Sequence, residues 1–123
     1  MDAQLILIVE DDEKSRRLMS DVLSHQGYRV METDNAEDGL DIVRRDHPDL
    51  VLMDIHLPGM SGLDALGVIR SEETIAATRV LAVTASVMGN DLDRVRRAGF
   101  DGFEPKPVSL KLLLENVKRL VAS

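Results

Sequence analysis

Three charged signals stand at positions where they can act together: Glu10-Asp11-Asp12 directly after the apolar run Leu5-Ile6-Leu7-Ile8-Val9, Asp54 after Leu50-Val51-Leu52-Met53, and Lys106-Pro107 near the C-terminus. Each falls where a buried strand would end. Carboxylates of Glu10, Asp11 and Asp54 gathered within several ångströms repel one another by roughly 4 kcal/mol per pair at an effective dielectric near 20. The cluster therefore calls for a cation. A hard divalent ion, Mg²⁺ or Mn²⁺, suits such oxygens and is usually held by one or two carboxylates together with phosphate oxygens. Lys106 adds a further positive charge, and Thr84, after Val80-Leu81-Ala82-Val83, offers a hydroxyl that can donate to a phosphoryl oxygen. An aspartate beside a divalent ion and a lysine is a candidate nucleophile toward phosphorus, because the cations stabilise charge on the transferring group. Asp54 takes that role as the most central of the set, with Asp11 a direct metal ligand and Glu10 a second acid acting through water.

Residues so far apart meet only if the elements bring them together. Apolar runs predict strands over Leu5–Glu10, Arg29–Glu32, Leu50–Asp54, Val80–Thr84 and a short Gly102–Glu104. Helical periodicity fills the intervals. A first helix runs from Glu13 to Gln26 with Leu18, Met19, Val22 and Leu23 as its apolar positions, and Gly27 stops it. A second is capped by Asn35, buries Ala36, Leu40 and Val43, and ends before His47-Pro48. A third starts after Ser61 and uses Leu63, Leu66 and Ile69, weakened by Gly67. A fourth spans about Asn90 to Ala98, and a fifth, capped by Ser109, sets Leu110, Leu113, Leu114, Val117, Leu120 and Val121 on one face.

Alternation of this kind means an α/β fold, a doubly wound five-stranded parallel sheet with five helices on its two sides. Strands covered on both faces read as unbroken apolar runs. The first, third and fourth do so, whereas the second and fifth are mixed, which makes those two the edges and gives the flavodoxin-like order 2-1-3-4-5. The switch point then lies between the first and third strands, where ligands bind. Those strands end in Asp11 and Asp54.

Composition narrows the function classes. A chain of 123 residues fits one domain, expected to span 1–123. Its net charge of -7 opposes contact with nucleic-acid phosphates, so no direct nucleic-acid partner is expected. The absence of cysteine removes thiolate catalysis and Cys-based zinc sites. With no apolar run long enough to span a bilayer and no signal peptide, the expectation is a cytoplasmic protein without a membrane partner.

The run Ile8-Val9-Glu10-Asp11-Asp12, the block Leu52-Met53-Asp54-Ile55-His56-Leu57-Pro58-Gly59-Met60-Ser61-Gly62, the step Val83-Thr84-Ala85 and the pair Lys106-Pro107 together resemble the receiver domain of two-component response regulators. Four motifs stand in the family's order and at its spacing over the whole chain. The family's chemotaxis member is itself an instance of the 2-1-3-4-5 order. The resemblance implies that Asp54 accepts a phosphoryl group from a phosphohistidine of a sensor histidine kinase or histidine phosphotransfer protein, the receiver catalysing its own phosphorylation and dephosphorylation. It implies Mg²⁺ on Asp11, Asp54 and the backbone carbonyl of His56, Lys106 on the phosphate before a cis peptide bond to Pro107, and Thr84 with Phe103 as the switch that alters a protein-binding face. Phe103 stands where the family more often has Tyr, so ring packing is kept and a hydroxyl is lost. His56 and Ser86 occupy places that tune the lifetime of the phosphoryl group.

Plainer readings compete for single residues. Glu10 and Asp11 alone could be solvated charges at a helix N-terminus, Lys106 alone a surface cation, Phe103 a packing ring. At the level of the whole chain, a haloacid-type Mg²⁺-dependent phosphohydrolase would use Asp11 as nucleophile with an Asp two residues on. A flavodoxin-like carrier would need a neutral phosphate loop where Glu10-Asp11-Asp12 stands. A pseudo-receiver would not need the complete acidic set. No output domain is expected after the last helix, so the chain reads as a stand-alone receiver or one cut from a longer regulator or hybrid kinase. A downstream protein target would bind the fourth helix, fifth strand and fifth helix, and the phosphodonor the first helix, around Ser15 and Leu18, together with the loops around the pocket.

Overall fold

In a computed structural model, residues 3–85 and 89–122 are described, with backbone only for 89–92. The elements run β1 (Leu5–Val9), α1 (Glu13–His25), β2 (Arg29–Thr33), α2 (Ala36–Asp46), β3 (Leu50–Asp54), α3 (Gly62–Ser71), β4 (Val80–Thr84), α4 (Gly89–Ala98), β5 (Gly102–Pro105) and α5 (Leu110–Val121). All strand pairs are parallel and the order is β2-β1-β3-β4-β5. Every residue of β1, β3 and β4 is buried, while β2 and β5 are largely half-buried or exposed, as edge strands are.

Helix starts follow local chemistry. Asp12, Asn35, Ser61 and Ser109 are extended N-caps whose side chains accept from the backbone N–H three residues on, which satisfies donors the first turn leaves unpaired. Gly27, at φ 94°, follows the C-cap of α1, and His47 at φ 47° takes the left-handed end of α2 without being glycine.

Side-chain alternation along the strands builds two layers. Leu7, Val9, Val51, Met53 and Val80 face α2 and α3 with Leu40, Val43, Leu66 and Ile69; Ile6, Ile8, Leu52, Leu81 and Val83 face α1 and α5 with Met19, Leu23, Leu113 and Val117. Ala82 and Ile55 meet Val95 of α4, with Phe100 and Phe103 against them.

Element ends differ slightly from expectation. β1 stops at Val9, and Glu10 leaves the strand while its N–H still bonds to the carbonyl of Thr33 at 3.0 Å. Two expected apolar-face positions face out: Leu18 is 49% exposed and Leu110 is 38% exposed. The segment between α3 and β4 was silent in the sequence pattern, yet it buries Ile75. Ser86, Val87 and Met88 lie outside the described residues.

Candidate functional site

The parallel register fixes which residues share the carboxyl edge. Val9 lies opposite Met53, Asp54 opposite Val83, and Thr84 opposite Pro105, so the residues that end β1, β3, β4 and β5 converge on one short row. Carboxylate oxygens of Glu10, Asp11 and Asp54 come within 4.8 Å of one another. Glu10 and Asp54 are buried and Asp11 is exposed, which leaves the cluster open to solvent on one side.

Lys106 reaches this cluster from the far edge of the sheet. Its ammonium pairs with Glu10 Oε1 and donates to Asp54 Oδ2 at 2.9 Å. The lysine is carried there by a turn in which its own N–H bonds to the Thr84 carbonyl at 2.9 Å and the peptide to Pro107 is cis. The second oxygen of Asp54, Oδ1, accepts from the backbone N–H of His56 at 3.0 Å. Burial, then the hydrogen bond and charge of Asp54, push Glu10 up to about 7 against the pull of Lys106. Burial opposes the Lys106 ammonium, but its bonds to Glu10 and Asp54 outweigh that and raise it above its ordinary 10.5. The acids thus crowd beyond what one lysine compensates. That excess is the electrostatic signature of a site suited to a hard divalent cation, and the oxygen-only donor set agrees with it.

Thr84 and Phe103 complete the set. Thr84 is 1% exposed and its hydroxyl has no hydrogen-bond partner among the described residues, an unusual condition for a buried polar atom. Phe103 lies partly buried beside Ala82, Ile55 and Val95, one strand over from Thr84.

One contributor carried no functional reading in the sequence. A Cβ on Gly62 would lie 2.3 Å from the carbonyl oxygen of Asp54 and 2.8 Å from Ile55 Cα, and the Gly62 N–H bonds to the Ile55 carbonyl at 2.9 Å. The first turn of α3 is therefore seated on the backbone that carries Asp54. Only a residue without a side chain permits that approach.

Residues 6–118 match the response regulator receiver domain family. The chain belongs to this family, whose members are the phosphoacceptor modules of two-component signalling. Among its relatives are the polar-differentiation response regulators DivK of Brucella ovis and Brucella abortus, each 37% identical over 113 residues that cover 92% of this chain and 92% of theirs. The receiver domain of a sensor histidine kinase from Pseudomonas aeruginosa PAO1 superposes with a TM-score of 0.90 at 28% identity, over 98% of this chain and 99% of that one. That structure has a magnesium ion coordinated in its active-site cleft. Chemotaxis protein CheY4 of Vibrio cholerae shares the fold, with a TM-score of 0.89 at 22% identity over 96% of this chain and 98% of that one. The haloacid-type phosphohydrolase alternative gains no support from these relatives.

Proposed function

We propose that the whole chain, residues 1–123, is one receiver domain in which Asp54 accepts a phosphoryl group from the phosphohistidine of a sensor histidine kinase or histidine phosphotransfer protein. Asp11, Asp54 and the backbone carbonyl of His56 would hold Mg²⁺ or Mn²⁺, with Glu10 acting through water. The observation that supports this reading is the arrangement around Asp54, whose two oxygens are held by Lys106 and the His56 N–H beside two further carboxylates. A bound divalent ion supplies the charge that offsets both the carboxylates and the phosphoryl oxygens.

In the transfer, an oxygen of Asp54 bonds to phosphorus as the phosphorus–nitrogen bond of the donor breaks; the imidazole nitrogen keeps the electron pair and takes a proton from solvent. Lys106 then holds a phosphoryl oxygen. The buried hydroxyl of Thr84 moves to donate to another, and Phe103 turns into the vacated space. The receiver catalyses its own phosphorylation and, by water attack on phosphorus, its own dephosphorylation, with His56 and Ser86 setting the lifetime. The two arrangements differ at α4, β5 and α5, which form the face read by a downstream protein target. The donor docks on α1, where Leu18 is exposed. No helix among the described residues is long and apolar enough to cross a membrane, and the setting proposed is the cytoplasm, where kinase and target would meet.

Incubation with acetyl phosphate, with and without Mg²⁺, followed by intact mass, tests the assignment. One phosphoryl group is expected on the parent protein only with the metal, and none on Asp54→Asn. Equal labelling of Asp54→Asn would reject it. Leu18→Glu is expected to slow transfer from a donor protein while leaving acetyl phosphate labelling intact, and equal loss of both would remove α1 from donor docking.

A further inference from the structure

The two carboxylates contributed by the β1–α1 loop are consecutive, so their relative aim depends on one peptide plane, that between Glu10 and Asp11. Glu10 is held through its side chain by Lys106, through Oε2 by the Asp12 N–H at 3.4 Å, and through its own N–H by Thr33. Asp11 is exposed, and among the described residues no side chain or backbone group bonds its carboxylate. With no bond to hold its tip, the place from which that carboxylate reaches toward Asp54 is set by the backbone that carries it.

One side chain grips that backbone. Arg16, in the first turns of α1, reaches back over the loop and donates from Nη1 to the Glu10 carbonyl at 2.9 Å, while its Nε lies 3.4 Å from Glu32 Oε1 on β2. Its own N–H bonds to the Asp12 carbonyl at 2.9 Å. Arg16 thus connects the end of β1, the start of α1 and the edge strand β2 through one guanidinium, which is half-buried with a side-chain exposure of 20%. An exposed Arg–Glu pair by itself contributes little. A planar fork spanning a main-chain carbonyl and a carboxylate restricts more, because it fixes the carbonyl in direction as well as position.

The geometry points to Arg16 as a positioning residue for the divalent-cation site: it locks the Glu10–Asp11 peptide so that Asp11 faces Asp54 before any ion arrives. This inference rests on the reading of Glu10, Asp11 and Asp54 as that site. It has a sign that a pure charge effect lacks. A cation beside the acids repels Mg²⁺, so if Arg16 acted only through charge, its removal would tighten binding; if it acts by orientation, its removal loosens binding. Glu32 supports the second role, since it pairs with the guanidinium and offsets its charge.

The test is Mg²⁺ affinity read by amide chemical-shift titration, alongside the thermal midpoint in EDTA. Arg16→Met keeps the packing stem and removes the donor, and is expected to weaken Mg²⁺ about tenfold, the lower end of what loss of a group supporting a metal ligand costs. Arg16→Lys restores one donor and is expected to recover most of that loss. The midpoint in EDTA changes alike in both variants, because the helix and core are untouched. Unchanged or tighter Mg²⁺ binding in Arg16→Met overturns the inference, as does Arg16→Lys binding no better than Arg16→Met. Asp11→Asn separates the two levels: if it abolishes binding while Arg16→Met binds Mg²⁺ as the parent does, positioning alone fails, whereas parent-like binding by Asp11→Asn removes the metal site itself and the inference with it.

Discussion

Thr84 carries a hydroxyl into the core with nothing to bond among the described residues. A buried polar group without a partner costs about 1 kcal/mol or more, so the unphosphorylated protein bears a local penalty that a phosphoryl oxygen would relieve. Thr84→Val keeps the shape and removes the hydroxyl. It is expected to raise the stability of the unmodified protein by about 1 kcal/mol in urea unfolding, while blunting the response to beryllofluoride seen in the amide signals of β5 and α4. Phe103→Ala is expected to blunt the same response without the gain in stability, since it opens space beside Ala82 and Val95. A Thr84→Val protein that is both less stable and fully responsive would contradict this account. At this scale Asp54, Glu10, Asp11 and Thr84 were legible because charged or polar residues at the ends of apolar runs are conspicuous, whereas Lys106, after the mixed Gly102-Phe103-Glu104-Pro105, gained its reading only from those partners. Arg16 was not legible. An arginine on the first turns of a helix reads as surface charge, and only its reach across the loop distinguishes it.

Two glycines of α3 show how the same residue type serves opposite ends. Gly62 opens the helix against the backbone of Asp54 and Ile55, whereas Gly67 sits mid-helix, exposed, with nothing near the place a Cβ would occupy. Gly62→Ala is expected to push α3 off the end of β3 and cost about 3 kcal/mol, as overpacking against rigid backbone does. Gly67→Ala is expected to stabilise by about 0.5–1 kcal/mol through helix propensity and loss of unfolded-chain entropy. Denaturant titration of the two variants checks both, and similar stabilities would show that α3 is not seated as described. Gly67 was readable as a weak point of its helix from the pattern alone. The demand for glycine at position 62 was not, because it arises from a strand segment eight residues earlier folding back beneath the helix.

The behaviour of the whole molecule with pH depends on acids that the fold buries. Glu104 is 1% exposed on β5; Asn116 of α5 donates to its Oε2 at 3.3 Å, and among the described residues Oε1 has no partner. Arg119 donates to the Oδ1 of the same Asn116 at 3.3 Å. Burial raises Glu104 above its ordinary 4.5, and the Asn116 bond only partly offsets that. A raised acid binds its proton more tightly folded than unfolded, so its contribution to stability is greatest below about 4.5 and declines as pH rises through the folded value. Glu10 acts in the same direction in the metal-free protein. Urea unfolding from pH 4.5 upward should therefore show a loss of stability that is smaller in Glu104→Gln, and identical slopes in parent and variant would refute the assignment. From the sequence alone came the elements, their alternation, the two edge strands and the cluster of acids with its lysine, because burial on both faces writes unbroken apolar runs and because strand ends in a parallel sheet must meet. Tertiary structure alone decided that Leu18 and Leu110 face out, that Ile75 is buried, that Gly62 must be bare and that Glu104 is shut away from water. Periodicity reports which face of an element is apolar; it carries no information about where the neighbouring surface ends or which distant backbone lies beneath.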